Sequence, residues 1–150
     1  MIKTENLQKY FRTEEVETRA LRGVNIQVSE GEFVAVTGPS GSGKTTIGRA
    51  IMRIYTNNVD GEIKFGGSKI TGKLSRTDKK KLHMQMQMIF QDPMASLNER
   101  AKIDYIISEG LYNYHLFENE EDRIAKVESI LSEVGLTSEF ISRFPHEFSG

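Results

Sequence analysis

A glycine-rich stretch near residue 40 contains the residues in this chain best suited to holding phosphate. Residues 37–46 read TGPSGSGKTT, and the spacing of Gly38, Gly43, Lys44 and Thr45 fits the phosphate-binding pattern G-x-x-x-x-G-K-[ST]. Glycines allow positive φ, so that backbone N–H groups turn inward around a phosphate. A lysine ammonium can reach the β- and γ-phosphates, and a threonine hydroxyl can bind a Mg²⁺ that bridges them. The candidate binding residues are Gly38, Pro39, Ser40, Gly41, Ser42, Gly43, Lys44, Thr45 and Thr46.

The sequence on either side of this loop predicts a strand before it and a helix after it. Residues 33–37, FVAVT, form a short apolar and β-branched run that is typical of a strand buried on both faces. After the loop, apolar residues recur at helical spacing: Ile47, Ala50, Ile51 and Ile54. A chance glycine-serine turn would not have this context, so we expect a nucleotide-binding loop.

Composition places few further limits on function. The chain has 150 residues, 37% hydrophobic and 27% charged, which suits about one soluble globular domain. A formal net charge of −1 gives no reason to expect a nucleic-acid partner. No cysteine is present, so disulfides and thiolate metal sites are excluded. The N-terminus has no signal-peptide pattern, and no apolar run approaches the roughly 20 residues of a membrane span, so we expect membrane association only through a partner.

The first half of the chain reads as short strands and the second half as helices. Predicted strands cover residues 2–10, 21–28, 33–37 and 61–65, and alternation at Met86, Met88 and Phe90 predicts another. Residues 76–82 are charged and predict a helix. Beyond Pro93, a helical face consists of Ile103, Ile106, Ile107, Leu111 and Tyr114.

A further helix is predicted over residues 120–134. Asn119 is suited to cap its start, three acidic residues follow at the positive end of the helix dipole, and Gly135 is suited to end it. Its expected apolar stripe is Ile124, Val127, Leu131 and Val134, and a short apolar segment then runs to Pro145.

Two further stretches carry a resemblance to a known family. Residues 86–98 read MQMIFQDPMASLN, and residues 144–150 read FPHEFSG. With the phosphate loop, they resemble the ATP-binding subunit of an ABC transporter of the dipeptide/oligopeptide importer branch, from about Leu7 to the last residue. The first stretch is similar to that branch's Q-loop region, and the second to the approach to the family's signature sequence, FSGGQ. Glu99 departs from the proline that is usual in the branch.

The resemblance implies an α/β fold that forms the N-terminal part of a P-loop NTPase of the ABC type. It would contain an antiparallel β subdomain, a partial nucleotide core and a helical subdomain. Residues 1–91 would form the β subdomain and phosphate-loop core, and residues 92–150 the helical subdomain up to the signature.

The family's roles extend to matching residues of this chain. Residues 40–46 would hold the phosphates of ATP, with Thr45 and Gln91 at the Mg²⁺. Gln91 would also position the attacking water and couple the site to membrane subunits. Phe11, in the spacing Lys9-x-Phe11, would stack on adenine, with Tyr10 as the competitor. Ser149 would bind the γ-phosphate held by the opposite subunit of a dimer.

The residues alone leave two of these roles open. Without the resemblance, Gln91 would read as an ordinary polar residue at a strand end, and an aromatic at a strand end is more often packing than ligand. Period two in a strand would turn only one of Tyr10 and Phe11 inward. His83 and His146 are interpreted as structural or exposed, because the family's switch histidine lies beyond residue 150.

The resemblance also implies partners and a location. The parent protein would energise peptide uptake at the cytoplasmic face of the cell membrane, as a peripheral subunit. It would contact permease subunits through the Gln91 region and helical part, and pair with a second ATP-binding subunit. Because the sequence stops at Gly150, inside the signature, the chain is expected to be a fragment that binds nucleotide but does not hydrolyse it.

Two other functions are the alternatives to this one. A small nucleoside-phosphate kinase would need arginines that clamp the transferred phosphoryl group, and Arg100, Arg123 and Arg143 are scattered over the helical part. A non-catalytic module that binds a permease would be built from residues 92–150. The binding of this module to the permease would not depend on nucleotide.

Overall fold

The computed structural model describes residues 1–55, 57–92 and 96–148. The chain divides into two compact units, Met1–Met88 and Ile89–Gly150, and each is described by itself.

The first unit is built on a four-stranded antiparallel sheet. Its strands are β1 (Ile2–Arg12), β2 (Glu17–Val28), β3 (Val59–Phe65) and β4 (Ser68–Lys69), in the order β2-β1-β3-β4. The strands predicted at residues 2–10, 21–28 and 61–65 are confirmed. The long hairpin of β1 and β2 contains alternating apolar and polar residues, so one face of the sheet is available for packing.

An irregularity in β1 fixes how it pairs. β1 pairs Lys9 with Leu21 on one side and with Val59 on the other, and its register shifts near Asn6. Asn6 has φ 50°, and a Cβ added at Gly61 would lie 2.3 Å from the Asn6 carbonyl oxygen. Only glycine fits there, so this bulge holds the register of the sheet.

Two helices pack on the sheet of the first unit. Helix α1 (Lys44–Ile51) begins at the end of the glycine-rich loop, and α2 (Arg76–Gln85) confirms the helix predicted at residues 76–82. Ser75 caps α2 by accepting a hydrogen bond from the Asp78 N–H at 3.0 Å. The buried hydrophobic core consists of Leu7, Leu21, Ala50, Ile63, Ile70, Leu82 and Met86.

Two predicted strands are absent from the described residues. Residues 33–37 carry no strand pairing, with Phe33 95% exposed and Val36 47% exposed. Residues 86–90 leave α2 as extended chain without a ladder, although Met86 is buried. Both predictions were wrong for the same reason: composition indicates that a segment can extend, whereas a strand also needs a neighbour to pair with. The predicted helical face after the loop was also too long, since α1 ends at Ile51 and Ile54 is exposed.

The second unit is helical, as predicted. Helix α3 (Ile103–Tyr114) and helix α4 (Glu120–Glu133) are followed by short 3₁₀ segments at Ser138–Ser142 and Pro145–Phe148. Asn119 caps α4, and its side-chain oxygen accepts the Asp122 N–H at 2.9 Å. Gly135 ends the helix with φ 78°.

The buried face of α4 is rotated from the predicted one. Val127 and Leu131 are buried as expected, but Ile124 is 39% and Val134 68% exposed. Arg123 takes the remaining inward position. A pattern of apolar residues did not predict this, because the charge of Arg123 is neutralised by residues of two helices.

Candidate nucleotide-binding site

The glycine-rich loop has the backbone geometry that its sequence predicted. Gly38, Gly41 and Gly43 have φ of 150°, 80° and 92°, values that disfavour residues with side chains. A Cβ added at Gly43 would lie 3.0 Å from the Ala20 carbonyl oxygen, and the loop is therefore packed closely against β2. Residues 38–42 are exposed, so the concave side of the loop is open to a ligand.

Lys44 reaches back across this loop. Its ammonium donates hydrogen bonds to the carbonyl oxygens of Gly38 at 2.6 Å and Pro39 at 2.8 Å. The Ser42 hydroxyl lies 3.4 Å away. The positive charge is thus held at the centre of the loop, with no carboxylate among its hydrogen-bond partners in the described residues.

The start of α1 adds backbone donors beside this charge. Gly43 occupies the N-cap position, and the first intrahelical bond runs from the Ile47 N–H to the Gly43 carbonyl at 2.9 Å. The N–H groups before Ile47 therefore have no partner within the helix. No acidic residue lies in the first turn, and the Thr45 side chain is exposed. Backbone donors, the helix dipole and an ammonium converge on one region, which suits a phosphate group.

The structure separates the two candidate aromatic residues. The Tyr10 hydroxyl donates to the Gln8 side chain, and the Arg19 guanidinium lies 5.4 Å from the Tyr10 ring. Phe11 is 41% exposed and meets Tyr55 edge to face at 5.6 Å between ring centres. Of the two, Phe11 is the more exposed side chain, since Tyr10 is half-buried.

Two residues in contact with Phe11, Lys9 and Tyr55, were not predicted from the sequence as part of the site. The Lys9 ammonium lies 4.7 Å from the centre of the Phe11 ring and 4.8 Å from that of Tyr55. The spacing of Lys9 and Phe11 in a strand could have shown that they share a face. Tyr55 carried no such signal, because it follows α1 and is brought there only by the fold.

The other predicted site residues are not brought to this loop within one unit. Gln91 is exposed and belongs to the second unit. Ser149 lies outside the described residues. His83 and His146 are exposed, as expected, and the His146 ring stacks on Phe144 at 5.7 Å.

Two of the arginines weighed as kinase clamps have other contacts. Arg123 is bound to Asp104 at 2.5 Å and Glu120 at 2.6 Å. Arg143 lies over the Phe140 ring at 4.6 Å. These interactions direct the two guanidinium groups into the helical packing instead of toward a phosphate.

The described residues contain neither a metal cluster nor a membrane-spanning helix. Across residues 1–55, 57–92 and 96–148, no three His, Asp or Glu side chains are grouped closely enough to hold a metal ion. In the same described ranges, no helix has the length and apolar character needed to cross a bilayer.

A glycine-rich loop that encloses a lysine ammonium and leads into a helix N-terminus is the phosphate-binding geometry of P-loop nucleotide-binding proteins. The comparisons with known proteins narrow this class. The chain belongs to the ABC transporter family, whose model matches residues 21–150. The resemblance to ABC ATP-binding subunits is therefore confirmed, as is the fold class.

Similar curated proteins come from peptide transport systems. The oligopeptide transport ATP-binding protein AmiF of Streptococcus pneumoniae is 55% identical over 131 residues, which cover 87% of this chain and 42% of AmiF. The oligopeptide transport ATP-binding protein OppF of Streptococcus pyogenes serotype M1 is 46% identical over 150 residues, covering 100% of this chain and 48% of OppF. The chain spans about half the length of the curated relatives it matches.

Solved structures show the same fold. The ATP-binding cassette MJ0796, in a dimeric post-hydrolysis state bound to ADP and phosphate, superposes with a TM-score of 0.80 at 26% identity. The match covers 99% of this chain and 63% of that chain. A second dimeric structure of MJ0796 gives a TM-score of 0.79 at 27% identity, with coverage of 100% and 64%.

Proposed function

We propose that this chain is the ATP-binding part of an ABC importer ATPase that energises the uptake of di- and oligopeptides. The observation that carries the proposal is the glycine-rich loop with three positive φ values, which wraps Lys44 and opens into α1. The peptide cargo rests on the names of the similar proteins AmiF and OppF.

ATP would bind through its phosphates first. Backbone N–H groups of residues 40–46 donate to the phosphate oxygens, and Lys44 exchanges the Gly38 and Pro39 carbonyls for the β- and γ-phosphates. The residues present fit Mg²⁺, because the exposed Thr45 hydroxyl is a hard oxygen ligand next to Lys44. A bound Mg²⁺ would neutralise part of the negative charge on the β- and γ-phosphate oxygens.

The adenine would stack on Phe11 rather than Tyr10. Phe11 is exposed, whereas Tyr10 is half-buried and its hydroxyl is bound to the Gln8 side chain. Stacking of a base on an aromatic ring is worth about 1–3 kcal/mol in proteins that bind single-stranded nucleic acid.

The remaining roles belong to an assembly. Gln91 would position the Mg²⁺ and the attacking water and, with the helical part of the chain, would contact permease subunits. Ser149 would meet the γ-phosphate on a second ATP-binding subunit, in a homo- or heterodimer. The dimeric structures of MJ0796 support this arrangement, which would place the protein peripherally at the cytoplasmic face of the membrane.

Calorimetric titration with MgATP tests the proposal. Lys44→Ala removes a charge-assisted contact to phosphate worth roughly 1.5–3 kcal/mol, so we expect affinity to fall about ten- to over a hundredfold. Lys79→Ala, in the exposed face of α2, is the matched control and should leave affinity unchanged. Equal affinities for the wild-type chain and Lys44→Ala would refute the proposed phosphate site.

A further inference from the structure

Lys9 is a buried cation whose partners are aromatic rings rather than a carboxylate. The residue is only 4% exposed. Buried side chains in β1 alternate with half-buried or exposed ones, and Lys9 occupies one of the buried positions. Its ammonium donates to the Asn57 carbonyl oxygen at 2.7 Å and lies over the rings of Phe11 and Tyr55. No ion pair of Lys9 occurs within the described residues.

Such a burial needs compensation. Removing an ammonium from water costs several kcal/mol unless charges or dipoles replace the lost hydration. Here a carbonyl dipole and two π-faces replace it, and cation–π attraction strengthens when the pair is desolvated. Lys9 is therefore in contact with both rings at once.

This arrangement does not cover the whole Phe11 side chain. Lys9 lies over one face of the Phe11 ring, and Tyr55 meets the ring nearly at right angles, at 85°. Phe11 is still 41% exposed, so part of its side chain stays accessible beside these two contacts. A cation over one face of the ring also lowers the negative potential on the other face, which reduces its repulsion of a stacked π-system.

The strand that carries Phe11 runs close to the phosphate loop. Lys9 pairs with Leu21 across the hairpin, and Leu21 and Ala20 are the residues that would touch a Cβ at Gly43. Phe11 is two residues further along β1, about 7 Å by the usual strand rise. Through Asn57, Lys9 also ties β1 to the segment that follows α1, the helix whose first turn lies at the loop.

We propose that Lys9 is a positioning residue for the base of the bound nucleotide. It holds the Phe11 ring in place for a purine while the loop takes the triphosphate. This inference rests on the proposed function, since it names a residue that serves the same nucleotide site.

Two ligands distinguish the contribution of the base to binding from that of the phosphates: MgATP and inorganic magnesium triphosphate. Lys9→Met keeps the length and apolar stem of the side chain but removes the charge. We expect this variant to bind MgATP about three- to tenfold more weakly and triphosphate with unchanged affinity. Lys9→Arg, which keeps a cation over the rings, should restore MgATP affinity to within about twofold. Lys3→Met, in the same strand but paired with Glu5, is the control and should change neither affinity.

A measurement on the wild-type chain needs no substitution. MgATP should shift the NMR signals of the Phe11 ring and the Lys9 ε-methylene group, and triphosphate should leave both in place. The inference is overturned if Lys9→Met weakens the binding of both ligands equally, if it weakens neither, or if the two signals respond alike to both ligands. A wild-type chain that binds triphosphate as tightly as MgATP would overturn the inference while sparing the phosphate site. A wild-type chain that binds neither would overturn the proposed function itself.

Discussion

Lys9 and Arg123 are both buried cations, but the chain satisfies them in different ways. The ammonium of Lys9 contacts one backbone carbonyl and two aromatic rings. Arg123 has carboxylates, with its guanidinium bonded to Asp104, Glu120 and the Ser108 hydroxyl. Hydrogen bonds from Arg123 to the charged carboxylate are the main reason that the pKa of Glu120 lies below its usual value. The same contacts raise the pKa of Arg123, so its charge persists at any ordinary pH.

The Arg123 network predicts a pH-dependent contribution to stability. Because the pKa of Glu120 is lower in the folded chain than in the unfolded chain, its stabilisation is complete above the unfolded value of 4.5. It is lost as the pH falls through the lower, folded-state pKa. Glu120→Gln should therefore melt at a lower temperature than the wild-type chain at pH 7, with the difference disappearing in acid.

Glu121→Gln is the matched control for this comparison. It removes a charge from the same first turn of α4 without touching Arg123, so it corrects for the helix dipole. Thermal melts of the three proteins between pH 7 and 3 give the result. A difference between Glu120→Gln and wild type that stays constant over this range would contradict the assigned role.

Among single residues, the sequence predicted those roles that depend only on nearby positions in the chain. The phosphate loop could be recognised because its function depends on the spacing of Gly38, Gly43 and Lys44, all within a few residues. The contact of Lys9 with Tyr55 could not, because it depends on how β1 lies beside the end of α1. The partner of Arg123 likewise comes from another helix.

At the scale of elements, the cap of α4 can be tested directly. The Asn119 side chain accepts the Asp122 N–H, which would otherwise have no partner within the helix. Asn119→Ala should destabilise the chain by about 1 kcal/mol and speed hydrogen exchange in the first turn of α4. Ser129→Ala, at an exposed position in the middle of the same helix, should be neutral or slightly stabilising. Unchanged exchange in the first turn of Asn119→Ala would show that this cap does not stabilise α4.

Helices were easier to predict than strands in this chain. The cap at Asn119 and the stop at Gly135 are local signals, and the structure has both. Strands depend on partners, and residues 33–37 and 86–90 have none among the described residues. The rotated face of α4 has a related cause, since apolar periodicity cannot register that a buried arginine is neutralised from a neighbouring helix.

For the whole molecule, residues 33–37 predict self-association. This segment is β-branched, uncharged and free of proline, with unpaired backbone and Phe33, Val34 and Val36 exposed. An exposed apolar edge of this kind favours pairing with another chain. Sedimentation velocity should therefore show a weight-average sedimentation coefficient that rises with protein concentration.

Charge in that segment should suppress the association. Phe33→Lys together with Val36→Lys should move the chain toward monomer at concentrations where the wild type associates. Leu116→Lys, which adds one positive charge at an exposed apolar position of the second unit, is the control and should have little effect. A wild-type chain that stays monomeric throughout, or an equal effect of Leu116→Lys, would count against residues 33–37 as the contact.

The hydrogen bonds of Lys44 to the Gly38 and Pro39 carbonyls bear on how fast a nucleotide arrives. Because the ammonium ties the loop to itself, an incoming phosphate only has to replace two bonds of one side chain. Association that requires no refolding step is limited by encounter and orientation. The observed rate of ATP capture should then rise in proportion to ATP concentration without reaching a plateau, and differences in affinity among loop variants should appear mainly in how long the nucleotide stays bound.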